Sequence, residues 1–136
     1  MDIFKVSASA LEAQRIRMNT IASNMANAQT TKTETGGPYV RKDVVFSVMP
    51  VASNPAEKNL EGVKVREVVG DNKPPITVYD PGHPDADENG NVSMPNINVV
   101  EEMVNMMMAL RAYEANVRAF NMSKGMYQKA LELGRQ

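Results

Sequence analysis

The stretch NVVEEMVNMMMALRAYEANVRAFNMSKGMYQKALELG, residues 98–134, decides the fold. It contains no proline, and its apolar residues recur at heptad spacing. Met103, Leu110, Val117 and Leu131 hold one position, and Met106, Tyr113, Phe120 and Tyr127 hold a second. Apolar side chains that alternate in steps of three and four lie along one side of a helix. Asn98 with Glu101 three residues on resembles a capping box, Pro95 blocks an earlier start, and Gly134 supplies a stop. The spacing therefore predicts one helix from about Asn98 to Leu133, roughly 54 Å long at the helical rise. Helices of that length occur mainly in coiled coils and assemblies. Gly125 is a soft spot, costing about 1 kcal/mol relative to alanine, and Lys124 interrupts the seam beside it.

The front of the chain has the same period. Phe4, Leu11, Met18 and Met25 recur every seventh residue, and Ala8, Ile21 and Ala22 widen the apolar face. A helix from about Asp2 to Ala28 is expected, with Asp2 capping its first backbone donors and its charge suiting the positive end of the dipole. The apolar positions of the second helix outnumber one seam: Val100, Val104, Met107, Met108, Met122, Met126 and Leu133 lie beyond it. An apolar arc that wide needs a second partner, so the spacing points to an oligomer. Met103, Met106, Met107 and Met108 form a cluster whose flexible thioethers suit packing against non-identical neighbours, or serve as ordinary core filler.

All eight prolines fall between Pro38 and Pro95. The polar segment from Gln29, ending Gly36-Gly37-Pro38, reads as a hinge or linker. Beyond it Val44, Phe46 and Val48 alternate with Asp43, Val45 and Ser47 as a half-buried strand ending at Pro50. Val51 to Gly62 is a polar loop. Val63 and Val65 alternate as a second strand, and the Val68-Val69 pair breaks the alternation where a bulge is expected. Ile76 and Val78 form a third strand, and Val92 and Met94 follow the turn dipeptide Asn89-Gly90. The fold class is α+β: long N- and C-terminal helices forming a coiled coil, with a small, mostly β domain between them. The expected divisions are 1–30, 31–96 and 97–136, the middle being a compact module of three to five strands.

Composition excludes several function classes. The net charge is −1, divided as +1 over 1–30, −3 over 31–95 and +1 over 96–136, so no strong field points to nucleic acid or an anionic membrane. No apolar run approaches the roughly 20 residues needed to span a bilayer, so direct membrane insertion is not expected. No secretory-signal pattern opens the chain, because its first apolar residues are periodic and not contiguous. With no cysteine there are no disulfides, thiolate metal sites or cysteine nucleophiles. His83 is the only histidine and lies between Gly82 and Pro84, the setting of a surface loop. Asp85, Asp87, Asn89 and Gly90 match the first half of a calcium loop, but the twelfth position is Asn96 where a bidentate glutamate is needed. Lys32, Arg41 and Lys42 around Tyr39 read as a solvated strand edge in preference to a nucleic-acid patch, since Glu34 and Asp43 dilute them. No nucleophile, base and orienting group come together in the motifs, so neither an enzyme nor a cofactor is expected.

Certain residues are more specific than the period. Ala10-Leu11-Glu12-Ala13-Gln14-Arg15 and Asn19, then Ala22-Ser23-Asn24-Met25-Ala26-Asn27 with Thr30-Thr31, resemble the amino-terminal signature of the bacterial flagellar rod and hook family. Asn98 to Val104 and Arg111-Ala112-Tyr113-Glu114-Ala115-Asn116 resemble its carboxyl-terminal partner. In the middle, Pro38-Tyr39-Val40-Arg41-Lys42, Tyr79 to Asp87, Gly90 and Met94-Pro95-Asn96 are similar to the proximal-rod C-type branch. Met25 stands where a branched aliphatic is common. The short middle sets the chain apart from distal-rod and hook proteins, which carry larger insertions.

The resemblance implies a structural subunit of the rod, a tubular drive shaft crossing the periplasm. It implies terminal helices packed as an inner coiled-coil layer and a middle domain forming an outer layer. Implied partners are further copies of the chain, other rod proteins, the rod-to-ring adaptor and the flagellar type III export apparatus. Asn24 and Asn27 would satisfy backbone groups where the first helix ends. The spacing alone leaves open a soluble coiled-coil adaptor that forms no filament.

Overall fold

The computed structural model describes residues 2–51 and 60–135. The expected cap by the Asp2 side chain, and most of the expected loop between Val51 and Gly62, lie outside the described residues. The elements run α1 (Asp2–Ala26), β1 (Lys42–Pro50), β2 (Glu61–Gly70), β3 (Ile76–Tyr79), β4 (Asn91–Met94) and α2 (Val99–Leu133). The architecture is α+β, two long helices with antiparallel strands between them.

The start of α2 follows its sequence signal. Asn98 is the N-cap, with extended backbone, and its side-chain oxygen accepts from the N–H groups of Val100 and Glu101. Its last turn closes through the Gly134 N–H on the Ala130 carbonyl, with Gly134 in right-handed geometry. α1 ends two residues before the expected Ala28. Asn27 and Ala28 continue as a turn, and Asn27 Nδ2 donates to the Ser23 carbonyl, 2.9 Å away.

The segment expected as an open linker folds back on itself. Tyr39 N–H bonds the Thr30 carbonyl, Thr33 N–H the Gly37 carbonyl, and Gly36 N–H the Thr33 carbonyl. The tip needs φ of +81° at Gly36 and +75° at Gly37, a region L side chains avoid.

Among the described residues the middle holds four strands but no single sheet. β1 pairs with β2 and β3 pairs with β4, both antiparallel, as two separate two-stranded sheets. Among the described residues its buried aliphatic side chains are Val51 and Val92. That is too little to form a core, so β1 and β2 lie on α1 instead. Contact there is close. The Ser9 hydroxyl donates to the Val6 carbonyl at 2.7 Å and accepts from the Val63 N–H at 3.1 Å. A Cβ on Gly62 would sit 2.6 Å from Ser9 Oγ and 2.8 Å from Val51 Cγ2, so only glycine lets the strand approach. The bulge is not at Val68-Val69. Val45 pairs with Glu67 and Phe46 with Val65, which leaves Arg66 as the extra residue. Both valines continue the ladder, because the extra residue has already been absorbed.

α2 packs on α1 and on no other helix or strand among the described residues. The pair is antiparallel: Phe4 near the start of α1 meets Phe120 and Tyr127, while Asn24 near its end meets Glu102.

Candidate functional site

The residues of α2 that turn toward α1 form one continuous stripe. Glu102, Met106, Ala109, Tyr113, Asn116, Phe120 and Ser123 alternate in steps of four and three, and each is buried or half-buried. On α1, Phe4, Leu11, Met18 and Met25 are half-buried and Ile21 is buried. At the far end the Phe4 ring meets Phe120 edge-on at 5.2 Å between centroids and Tyr127 at 6.3 Å. Such edge-on pairs add about 0.5–1.5 kcal/mol beyond area burial.

Of the second heptad set, Met106, Tyr113 and Phe120 join this stripe and Tyr127 reaches it through Phe4. The first set divides. Val117 is half-buried, but Met103, Leu110 and Leu131 are exposed, each close to half of its surface. Met103 and Leu110 follow the inward Glu102 and Ala109 by one residue, a rotation of about 100° on a helix. Val100, Val104, Met107 and Met108 are exposed beside them. Three turns of α2 thus present an apolar flank away from α1. In the gap that separates the helices from β3 and β4, an open cleft of about 430 Å³ lined by Met25, Ile76, Val78, Met94 and Val99 adds further apolar surface.

A polar cluster closes the near end of the seam. Asn24 and Glu102 are 0 % and 1 % exposed. The Asn24 amide uses its whole hydrogen-bonding capacity. Its nitrogen donates to the Lys42 carbonyl at 2.8 Å and to Glu102 Oε2 at 3.2 Å. Its oxygen accepts from the Lys42 N–H at 2.9 Å and from the Tyr39 hydroxyl at 3.1 Å. Toward Lys42 the side chain therefore acts as a neighbouring strand would. The other Glu102 oxygen accepts from Arg41 Nε at 2.6 Å. Arg41 also lies 3.4 Å from Asp43 and 3.9 Å from Asp71. Burial pulls the guanidinium pKa down, but the bond and charge of Glu102, helped by Asp43, more than offset it and hold it above the ordinary value. The buried carboxylate is thereby paired and hydrogen-bonded, the condition under which a buried charge is tolerated.

The sequence did not single out Arg41 or Glu102. Arg41 read as part of a solvated edge; instead its side chain turns inward onto α2. Lys42 does stay exposed, with its ammonium 5.8 Å from the Tyr39 ring centroid. The available signal was that Glu102 stands four residues before Met106 and seven before Ala109, on a seam position that aliphatic residues usually fill. Asn27 bonds a carbonyl at its own helix end, whereas Asn24 serves the backbone of Lys42. Of the other motif residues, Asn19, Ala26, Arg111 and Glu114 are exposed. Asn116 sits in the seam and donates to the Ala112 carbonyl at 2.9 Å.

In the loop between β3 and β4 the acidic groups serve the chain itself. Asp87 Oδ1 accepts from the N–H groups of Asn89 and Asn91, and Asp85 accepts from the Thr31 hydroxyl. His83 Nδ1 accepts from the Asp85 N–H. Gly90 closes the turn at φ +78°. No helix among the described residues is long and apolar enough to cross a membrane.

Known proteins match this arrangement along the chain. Residues 4–32 match the family described as flagella basal body rod protein. Residues 88–133 match the family described as flagellar basal body rod FlgEFG protein C-terminal. These spans contain most of α1 and all of α2. A flagellar basal-body rod protein FlgC of Salmonella typhimurium is 46 % identical over 134 residues, covering 98 % of this chain and 97 % of that protein. The protein of that name from Aquifex aeolicus is 44 % identical over 135 residues, with 97 % of each chain covered. That of Bacillus subtilis is 42 % identical over 142 residues, covering 96 % and 95 %. With that identity sustained through both helices and the middle, the chain belongs to the flagellar basal-body rod protein family, in its FlgC branch.

Proposed function

We propose that this chain is a structural subunit of the flagellar basal-body rod, polymerising through its two terminal helices into a shaft that transmits torque for motility. The observation that carries the reading is the outward flank of α2. Val100, Met103, Val104, Met107, Met108 and Leu110 are exposed together on a helix whose other side is already packed. An apolar patch of that extent on a single chain marks an interaction surface. Stiffness is what a drive shaft requires, and long packed helices supply it: α2 alone spans roughly 52 Å at the helical rise.

In this reading residues 1–30 and 97–136 form the inner layer and residues 31–96 the outer one. Phe4, Leu11, Met18, Ile21, Met25, Met106, Tyr113, Val117, Phe120 and Tyr127 hold each chain's helices together. Met103, Leu110 and Leu131 pack against neighbours. Those neighbours are further copies of the chain and other rod proteins, with the rod-to-ring adaptor at one boundary. The flagellar type III export apparatus delivers the subunit. Non-catalytic structural work suits the family.

A photo-cross-linking residue in place of Met107, in a strain lacking its own copy of the subunit, tests the proposal. Cross-links to rod subunits in purified basal bodies are expected. A closed homo-oligomer in free solution, with no chain recovered in basal bodies, would replace the rod subunit by a soluble adaptor.

A further inference from the structure

The two ends of the helix pair are unfinished in complementary ways. At one end β3 and β4 pair with each other and touch no other helix or strand among the described residues. Loop contacts hold the hairpin off the helices: the Thr31 hydroxyl donates to Asp85 at 2.7 Å, and Asn96 Nδ2 donates to the Pro74 carbonyl at 3.1 Å. The cleft between them, about 430 Å³, therefore has two apolar walls, Ile76, Val78 and Met94 on the hairpin and Met25 and Val99 on the helices. A cavity of about 150 Å³ holds one benzene ring, so this cleft has room for about two or three large apolar side chains. At the other end α2 outruns α1. Phe4 already lies against Tyr127, so residues 128–133, about 9 Å of helix, have little or none of α1 beside them. All six are exposed. Met126 and Leu133, seven residues apart and so on one side of the helix, are 72 % and 75 % exposed.

We infer that the cleft receives the carboxyl-terminal tip of α2 from an axially adjacent rod subunit, with Leu133 and Met126 entering between the two walls. The chain's own tip cannot fill it. α2 has 35 residues, which puts its end about 52 Å from Val99. Tip and cleft lie at opposite ends of the helix pair, so a contact between them carries one chain along the axis relative to the next. Such a heterologous contact repeats without closing. A two-fold pair of antiparallel chains would also seat each tip, but it closes on itself and cannot be continued into a shaft. The occupant is defined by its chemistry, an apolar helix end at the carboxyl terminus of a rod subunit. The family that residues 88–133 match is described for rod proteins outside the FlgC branch, so the contact does not require a copy of this chain. Its partner rests on the rod reading; the cleft and the overhanging tip do not.

A photo-cross-linking residue in place of Val78 tests the contact, in basal bodies purified from a strain that makes only this full-length chain as its copy of the subunit. Tyr79, the next residue of β3, lies on the opposite face of the strand and serves as the control position. The probe at Val78 should join to the carboxyl-terminal peptide of a neighbouring rod subunit, at least about tenfold more often than the probe at Tyr79. Peptide mass spectrometry reads the site. Products from Val78 that hold another part of a neighbour, a ring protein or this chain alone overturn the inference. So do equal yields of the tip peptide from both positions. Should the probe at Val78 keep the chain out of basal bodies, Leu133→Asp takes its place. It should lower recovery in basal bodies at least about tenfold with export unchanged, whereas Arg135→Asp should not. Normal recovery of Leu133→Asp, or an equal loss with Arg135→Asp, overturns the inference. A chain recovered in basal bodies whose Val78 probe joins elsewhere loses only the tip contact; a chain absent from basal bodies without any probe loses the rod reading.

Discussion

The two flanks of α2 differ in the direction opposite to that expected of a protein complete by itself. Over the first three turns the flank against α1 holds Glu102 beside Met106 and Ala109, and the flank facing away holds methionine, leucine and valine; farther along, that outward flank carries Arg111, Glu114 and Arg118. In a self-contained bundle the more apolar flank would be inside. The inversion teaches that the seam within one chain is built for specificity, and the outer flank for association. It also explains why the chain leaves so many large apolar residues exposed, from Val100 to Leu133.

The largest expected effect strikes the outer flank. Leu110→Asp places a charge in the middle of the outward stripe, where Leu110 is 46 % exposed. Stability of the isolated chain should change by no more than about 0.5 kcal/mol, as for other surface substitutions. Rod assembly and swimming in soft agar should be abolished, with export of the subunit intact. Normal swimming in this variant would remove the basis for the contrast between the flanks.

A change at the inner flank should show the reverse pattern, with stability affected first. Glu102→Ala strips Arg41 and Asn24 of an acceptor. Breaking a buried pair by removing one partner costs about 3–5 kcal/mol. Arg41 keeps Asp43 and Asp71 within 4 Å, so the lower end, about 3 kcal/mol, is expected. Urea unfolding at constant m-value measures it. A loss below about 1 kcal/mol would mean that the cluster is no more than a surface ion pair. At the other end of the seam, Phe4→Ala removes the edge-on contacts with Phe120 and Tyr127. Phe4 is only half-buried, so about 2 kcal/mol is expected, less than the 3–5 kcal/mol of a fully buried phenylalanine. If Phe4→Ala costs more than Glu102→Ala, the aromatic end and not the polar cluster anchors the seam.

How much of this could be read beforehand follows the same division. The helices were legible from period alone, because proline is confined to the middle and Asn98 and Gly134 mark the ends of α2. All four strands were legible from alternation. The rotation of α2 was not, since over its first three turns the methionine-rich sequence offers two stripes one residue apart, and there the more apolar one is the one left exposed. The partners of Glu102, Asn24 and Arg41, stand 78 and 61 residues from it in sequence. No local pattern links them. Asn24 is visible as a motif residue expected to serve backbone groups where α1 ends, but no local pattern says that those groups belong to Lys42. The bulge was placed at Val68-Val69 from a break in alternation, whereas Arg66, inside an intact-looking alternation, is the residue left over.

The smallest effect has the opposite sign and sharpens the comparison where the flanks meet. Gly125 lies inside α2, is half-buried, and has open space where a Cβ would be. Replacing it by alanine removes a cost of about 1 kcal/mol in a helix interior, so Gly125→Ala should stabilise the isolated chain by about 0.5–1 kcal/mol. Thermal unfolding measures that gain, and a loss would show that a kink or close approach at Gly125 is part of the chain's own fold. Swimming supplies the second readout. If motility is unchanged, the glycine is only a weak point in the helix. If the more stable chain swims poorly, the open space around Gly125 belongs to a neighbouring subunit, and a backbone-close contact in the rod accounts for keeping a residue that the single chain would be better without.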